Sequence, residues 1–323
     1  MKPELTPSRF AFRPLGDLVA VLERADPIEV GLRAAEVALH SPSERIGVTR
    51  GAGHGLVSTY PADTHLPLDH PPIEIPSVAL EAYLGGGGQG WVYVGRIRST
   101  QKVVAVKVLA RGRDSLDWGA REAILAARVR HPNVLRVLRA QPAGAFWVVV
   151  MEFVQGVELG CGSLPVATAQ NIFSQLADAV ATLARCRLVH RDIKPANVIL
   201  RRDDGSPVLI DFGLAVDLAE AAEHADLSGT PFFLPPEAWR DAPPSPAWDA
   251  YALGVTAAVA IAGAPTMPTD LPTLRTAKLS GIFERRILQN LDGDARKSWI
   301  AELIAADPER RLAAIDAARR WAA

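Results

Sequence analysis

Four short stretches of the chain carry residue types that could do chemistry. Leu84-Gly85-Gly86-Gly87-Gly88-Gln89-Gly90-Trp91-Val92 is glycine-rich. A backbone without Cβ atoms comes close to phosphate oxygens and points N–H groups at them, although a hairpin turn or linker accounts for the glycines equally well. The run lacks the terminal Gly-Lys-Ser/Thr of a P-loop. Val104-Ala105-Val106-Lys107 reads as strand, and alternation puts Ala105 and Lys107 on one face, opposite Val104 and Val106. A lysine facing inward must meet an anion, and Glu122 on the following helix can hold its ammonium. The plainer alternative is an exposed edge lysine and a solvated glutamate. His190-Arg191-Asp192-Ile193-Lys194-Pro195-Ala196-Asn197 is more specific, with a carboxylate, a cation two residues later and an amide five residues later. Asp211-Phe212-Gly213 follows the apolar run Val208-Leu209-Ile210, which places the Asp211 carboxylate to bind a hard cation through oxygen.

Two kinds of element must position these residues. From Val78 to Leu109 the pattern is β: Val92-Tyr93-Val94 and Val103 to Leu109 flank a turn near Arg98 to Lys102. The spacing predicts a helix over 117–129 and a buried strand over 146–153. After Leu164 helices dominate, broken by strands at Val198–Leu200 and Val208–Ile210 around Asp203-Asp204-Gly205. The longest apolar stretch, Tyr251 to Ala264, falls short of the roughly 20 residues that span a bilayer and reads as a buried core helix. A strand-rich part followed by a helix-rich part is an α+β arrangement of two lobes with a cleft between them.

The motifs together resemble a protein kinase domain over residues 78–323, with a β-rich N-lobe at about 78–150 and a helical C-lobe at about 155–323. The glycine loop, the Val-Ala-Val-Lys strand, the His-Arg-Asp loop and Asp-Phe-Gly stand in the family's order. Met151-Glu152-Phe153-Val154 resembles the hinge, Gly229-Thr230 with Pro235-Pro236-Glu237 the end of the activation segment, and Asp249 with Tyr251-Ala252-Leu253-Gly254 the central C-lobe helix. Asp307-Pro308-Glu309-Arg310-Arg311 resembles the motif whose arginine pairs with the Pro-Pro-Glu glutamate.

The resemblance implies ATP between the lobes. Gly85, Gly87 and Gly90 would let the loop close on the phosphates, and Val92 and Ala105 would sandwich the adenine. Lys107, held by Glu122, would contact the α and β phosphates. Backbone groups of Glu152 and Val154 would meet the adenine edge, with Met151 as gatekeeper. Asp192 would be catalytic base or orienter, Lys194 would stabilise the transferring phosphoryl group, and Asn197 and Asp211 would hold Mg2+, with Mn2+ as a substitute. His190 and Phe212 would pack beneath the site. Lys194, two residues after Asp192, implies protein substrates with Ser/Thr acceptors, autophosphorylation among them.

Arg191 before Asp192 implies an activation segment set by a phosphate or an acidic substitute. Between Leu214 and Gly229 the only hydroxyl side chain is Ser228, beside Asp217, Glu220, Glu223 and Asp226. Either these acids pair with arginine in place of phosphate, or they form a solvated acidic face of a short helix. Phe233 stands where the family often has tyrosine, Pro235 where it has alanine, and Gln89 at a loop tip that is often small or aromatic. The compact stretch after Asp249 puts the family's substrate-docking helices in question.

The 323 residues hold 35 basic and 36 acidic side chains, a net charge of −1 that gives no basic excess for nucleic acid. Cys161 and Cys186 make no disulfide framework, and with no signal peptide or membrane span the expectation is a cytoplasmic protein. Residues 1–77 form an N-terminal extension. Asp26-Pro27-Ile28-Glu29 starts a helix whose Ile28, Leu32, Ala35 and Leu39 share one face suited to docking or self-association, and a proline-rich linker follows. His54, His65 and His70 within it match no metal-site spacing. A pseudokinase scaffold is disfavoured because Lys107, Glu122, Asp192, Asn197 and Asp211 are all present. A small-molecule phosphotransferase is disfavoured by the segment from Gly229 to Glu237, which resembles a peptide platform.

Overall fold

The computed structural model describes residues 73, 75–87, 90–110, 118–162, 164–224, 226–268 and 270–319. They divide into two units, one of residues up to 120 with 137–155, the other of 121–136 and 156 onward. The amphipathic helix expected at Asp26, the histidines of the linker and Gln89 lie outside the described residues.

In the first unit valine-rich segments alternate across an antiparallel sheet of order β1-β2-β3-β5-β4. Its strands are β1 (Val78–Gly87), β2 (Gly90–Ile97), β3 (Val103–Ala110), β4 (Val137–Ala143) and β5 (Phe146–Glu152). One face packs Tyr93, Val104, Val106, Val108, Val148 and Val150 against Ile75 and Val78 as a closed apolar core. The period of two therefore turns Ala105 and Lys107 to the opposite face, as the alternation predicts.

The second unit begins at Arg121, within α1 (Trp118–Ala127), a ten-residue helix slightly shorter than the expected one. β6 (Gly156–Glu158), β8 (Val198–Arg201) and β9 (Pro207–Leu209) form a small antiparallel sheet of order β6-β8-β9. β7 (Leu188–Val189) pairs with β10 (Val216–Asp217). The rest is helical. In α2 (Val166–Arg185) Ala169, Ile172, Phe173, Leu176, Val180 and Leu183 recur at helical spacing and are buried. α3 (Pro246–Ala262) is buried from Ala247 to Ile261, so it is the core helix rather than an amphipathic one, and it packs on α2.

After α3 come α4 (Leu271–Leu279), α5 (Ile282–Gln289), α6 (Lys297–Leu303) and α7 (Pro308–Arg319), in keeping with the helix-rich stretch expected after Leu164. They are 9, 8, 7 and 12 residues long. Among the described residues no helix is long and apolar enough to cross a membrane.

Two buried ionic ties fix this unit. Arg311 on α7, fully buried, donates through both terminal nitrogens to Glu237 (2.7 and 3.0 Å) and through Nε to the Ala305 carbonyl. That is the arginine–glutamate pair the family resemblance implies. The second is Asp249 in the first turn of α3, 1% exposed. It accepts the backbone N–H groups of His190 (2.8 Å) and Arg191 (3.0 Å). Burial pushes its carboxyl up to about 7, against those two donors and the Arg191 charge.

Because the folded carboxyl titrates near 7 and the unfolded one near 3.8, the unfolded chain sheds this proton first as pH rises. The wild type should therefore lose stability relative to D249N, by a few kcal/mol, between about pH 4 and pH 7, and the difference should level off above that. Urea unfolding of both proteins across this range checks it. A difference that is independent of pH would contradict it.

Candidate functional site

In the first unit the strands of the sheet present one continuous strip. Val92 on β2 lies opposite Lys107 on β3, and Lys107 lies opposite Val149 on β5. One pair along, Val94, Ala105 and Met151 line up in the same way. Opposed residues share a face, so Val92, Ala105, Lys107 and Met151 stand together. Lys107 is 2% exposed, an unusual position for a lysine and one that needs a carboxylate or phosphate partner. Glu152 and Val154, also buried, follow at the end of β5. The β1–β2 hairpin carries the glycines: pairing runs through Gly85↔Val92 to Gly87↔Gly90, with a register shift between Tyr83 and Gly85. Gly90 has φ +118, and a Cβ there would sit 2.3 Å from the Val108 carbonyl oxygen, so the β2 backbone lies against β3 only because this residue is glycine.

Glu122 belongs to the second unit, on α1, and is buried. The same unit holds the remaining predicted residues, and in it Lys194, Asn197 and Thr230 surround the carboxylate of Asp192. Asp192 Oδ1 accepts the backbone N–H (3.1 Å) and the hydroxyl (2.7 Å) of Thr230. Asp192 Oδ2 accepts Nδ2 of Asn197 (2.8 Å) and the Lys194 ammonium (2.7 Å). Lys194 also donates to Thr230 Oγ1 at 2.7 Å, which closes a ring of Asp192, Lys194 and Thr230. Asn197 Nδ2 donates further to the Asp192 carbonyl at 2.7 Å. The Asn197 nitrogen is fixed on Asp192, and an amide oxygen and a carboxylate, as Asn197 and Asp211 carry, are the kinds of ligand a hard cation takes. Among the described residues no cluster of three or more His, Cys, Asp or Glu side chains could hold a metal alone. A cation on Asn197 and Asp211 would complete its coordination with phosphate oxygens and water, which is how Mg2+ is usually held.

Both loops are strained at the residues that matter. Arg191 and Asp211 each have φ +67, a left-handed backbone that costs a non-glycine residue about 1 kcal/mol or more. What holds them is packing. The His190 ring donates through Nε2 to the Ile210 carbonyl (3.1 Å) and meets Phe212 edge-on at 5.0 Å, which makes both structural, as expected. Asp211 Oδ1 accepts the Gly213 N–H at 3.2 Å. Gly229 has φ +128, and a Cβ there would meet the Arg191 carbonyl at 2.7 Å, so the chain entering Thr230 passes close beneath the Asp192 loop.

The acids at 217–226 divide the two readings made from the sequence. Asp226 Oδ1 takes Arg191 Nη1 at 2.8 Å, and Arg191 also donates to the carbonyls of Leu214 (2.7 Å) and His224 (3.2 Å). Burial pushes the Asp226 carboxyl up, but the Ser228 hydroxyl (2.7 Å) and Arg191 outweigh it and hold it below the usual range. Glu220 pairs with Arg121 on α1 at 2.6 Å, and Asp217 pairs with Arg128. Arg121 donates to His224 Nε2 at 3.0 Å. Burial, Arg121 and Arg191 all push the His224 ring below its ordinary value, which suits a neutral imidazole as acceptor. Three of the four acids thus meet arginine rather than forming a solvated face. Arg121, Arg128 and His224 escaped the sequence reading. Their partners are 89 to 103 residues away, and no local pattern signals such pairs.

Comparison with known proteins bears on the whole of this arrangement. The model of the protein kinase domain family matches residues 78–321. The chain is similar to the serine/threonine-protein kinase PkaA of Streptomyces coelicolor, 32% identical over 58% of this chain and 39% of the relative. It is also similar to CBL-interacting protein kinase 25 of Oryza sativa, 30% identical over 73% of this chain and 50% of the relative. A third relative is the serine/threonine-protein kinase PknK of Mycobacterium tuberculosis, 36% identical over 58% of this chain and 18% of the relative. The match spans half or less of the length of each of these relatives.

Proposed function

The chain belongs to the protein kinase domain family, and from that premise we propose that it transfers the γ-phosphoryl group of ATP to serine and threonine hydroxyls of proteins, its own included. The observation that carries the reading is the Asp192 carboxylate, bonded on one oxygen to Thr230 and on the other to Asn197 and Lys194. A Ser/Thr acceptor needs a carboxylate of fixed orientation at its hydroxyl, a cation near the moving phosphoryl group and an oxygen ligand for metal, all within a few residues. The names of the relatives agree in acceptor class.

In this mechanism Asp192 orients the acceptor hydroxyl and takes its proton as the new P–O bond forms. The bond between the γ phosphorus and its bridging oxygen breaks, and ADP leaves with that electron pair. Lys194 balances the charge on the phosphoryl oxygens. Lys107, with Glu122 as its proposed partner, orients the α and β phosphates, while the backbone at Gly85, Gly87 and Gly90 covers them. Val92, Ala105 and Met151 offer an apolar strip for the base, and the backbone at Glu152 and Val154 its edge. Asn197 and Asp211 are the residues for Mg2+, with Mn2+ as the substitute, and the metal supplies neutralisation of charge on the leaving oxygen.

The same reading assigns the activation segment a carboxylate where a phosphate would otherwise be needed. Asp226 already occupies Arg191, so the ring around Asp192 does not wait for modification.

Labelled ATP and Mg2+ with dephosphorylated casein test the reaction. Wild type should label casein and itself on serine and threonine, D192N should fall by about 10²–10⁴-fold, and K107A by a similar factor. No label from wild type with either metal would sink the proposal. In the same assay S228A should stay near wild type, whereas D226N should lose roughly tenfold, the effect of removing one charged hydrogen bond. A dead S228A beside an active D226N would mean that phosphorylation at Ser228, and not the carboxylate, sets the segment.

A further inference from the structure

Lys278 lies on α4, and its side chain is 1% exposed, an unusual position for a lysine. Its ammonium donates to the backbone carbonyl of Phe232 at 2.7 Å and to the Tyr251 hydroxyl at 3.1 Å. It sits 3.4 Å from the centroid of the Phe283 ring and 4.7 Å from that of Tyr251. Tyr251 in turn donates to Glu284 on α5. The Phe232 ring closes the group, edge-on to Phe283 at 4.9 Å and to Phe233 at 5.2 Å. Burial pushes the Lys278 amine well below its ordinary range, and Glu284 and Glu237 pull against that; a carbonyl, a phenol and two ring faces surround it.

What it grips is the turn Pro231–Phe233. That turn starts one residue after Thr230, whose N–H and hydroxyl both sit on Asp192 Oδ1. The Thr230 carbonyl accepts the Phe233 N–H at 2.9 Å, so the turn and the catalytic carboxylate are joined through one residue. Phe232 and Phe233 are both half-buried, so their rings keep an apolar surface beside the place where an acceptor must arrive.

We infer that Lys278 is a positioning residue for the protein acceptor: by holding the Phe232 carbonyl it sets the turn on which the segment around the target hydroxyl rests. The inference rests on the kinase reading and concerns the acceptor alone. Lys278 touches none of the residues assigned to ATP, so its loss should change the handling of acceptor and leave that of nucleotide as it was.

The experiment uses the full chain, labelled ATP, Mg2+ and dephosphorylated casein. K278M strands the Glu284 charge and is expected to unfold at lower temperature. K278M/E284Q removes both charges at nearly constant volume and keeps an acceptor for Tyr251. The double variant should unfold close to wild type and keep the wild-type KM for ATP. Its KM for casein should rise about tenfold, the effect of losing one hydrogen bond from a charged donor. Amide exchange at residues 232–234 should be faster. A casein KM at the wild-type value in the double variant overturns the proposal, whatever the exchange does. A wild-type chain that transfers nothing would instead point to failure of the kinase reading. Exchange alone then decides whether Lys278 holds the turn: faster rates support it and unchanged rates overturn it.

Discussion

The second unit hangs on one buried carboxylate. Asp249, in the first turn of a helix with no solvent face, receives the backbone N–H groups of His190 and Arg191. Backbone donors left unpaired in such a place would each cost about 1–3 kcal/mol. The loop therefore cannot leave α3 cheaply, and Asp192, the next residue, is delivered to a fixed point. The left-handed backbone at Arg191 is tolerated for the same reason: both sides of the residue are tied down. From that point the ring of Thr230, Lys194 and Asn197 sets which way the Asp192 carboxylate faces.

A second layer of charge holds the segment leading to Thr230. The pairs of Glu220 with Arg121 and Asp217 with Arg128 are partly exposed and contribute about 1 kcal/mol or less each. The Arg191–Asp226 pair weighs more, because the Arg191 side chain is 3% exposed and would be left with carbonyl acceptors alone. Asp226 is open to solvent, which keeps the effect below the roughly 3–5 kcal/mol of a fully buried pair. A phosphate would bind Arg191 more strongly. The carboxylate gives a weaker but permanent hold, which suits a segment with Ser228 as its one hydroxyl before Gly229. Lys278 works on the far side of Thr230, through its hydrogen bond to the Phe232 carbonyl.

Most of this architecture is legible in the sequence where a local rule applies. The period of two placed Ala105 and Lys107 together, and the sheet register agrees. The apolar run of α3 announced a core helix. The family resemblance, rather than a local rule, implies the Glu237–Arg311 pair. Tertiary pairing outside the family motifs was not legible. Lys278 carries no local signal of burial, and its meeting with Phe232, Tyr251 and Phe283 is what takes it out of solvent. The acids of the activation segment were ambiguous for the same reason, since a carboxylate in a turn looks alike whether it faces water or an arginine a hundred residues away.

The central claim is that Thr230 joins the acceptor-side turn to the catalytic carboxylate through its hydroxyl. Single-turnover phosphoryl transfer to casein by T230V and T230S tests it most directly. Valine keeps the shape and the backbone N–H but loses the hydroxyl that bridges Asp192 and Lys194, and its transfer rate should fall about tenfold or more. Serine restores the hydroxyl and should stay near wild type. Transfer by T230V at the wild-type rate would contradict the account.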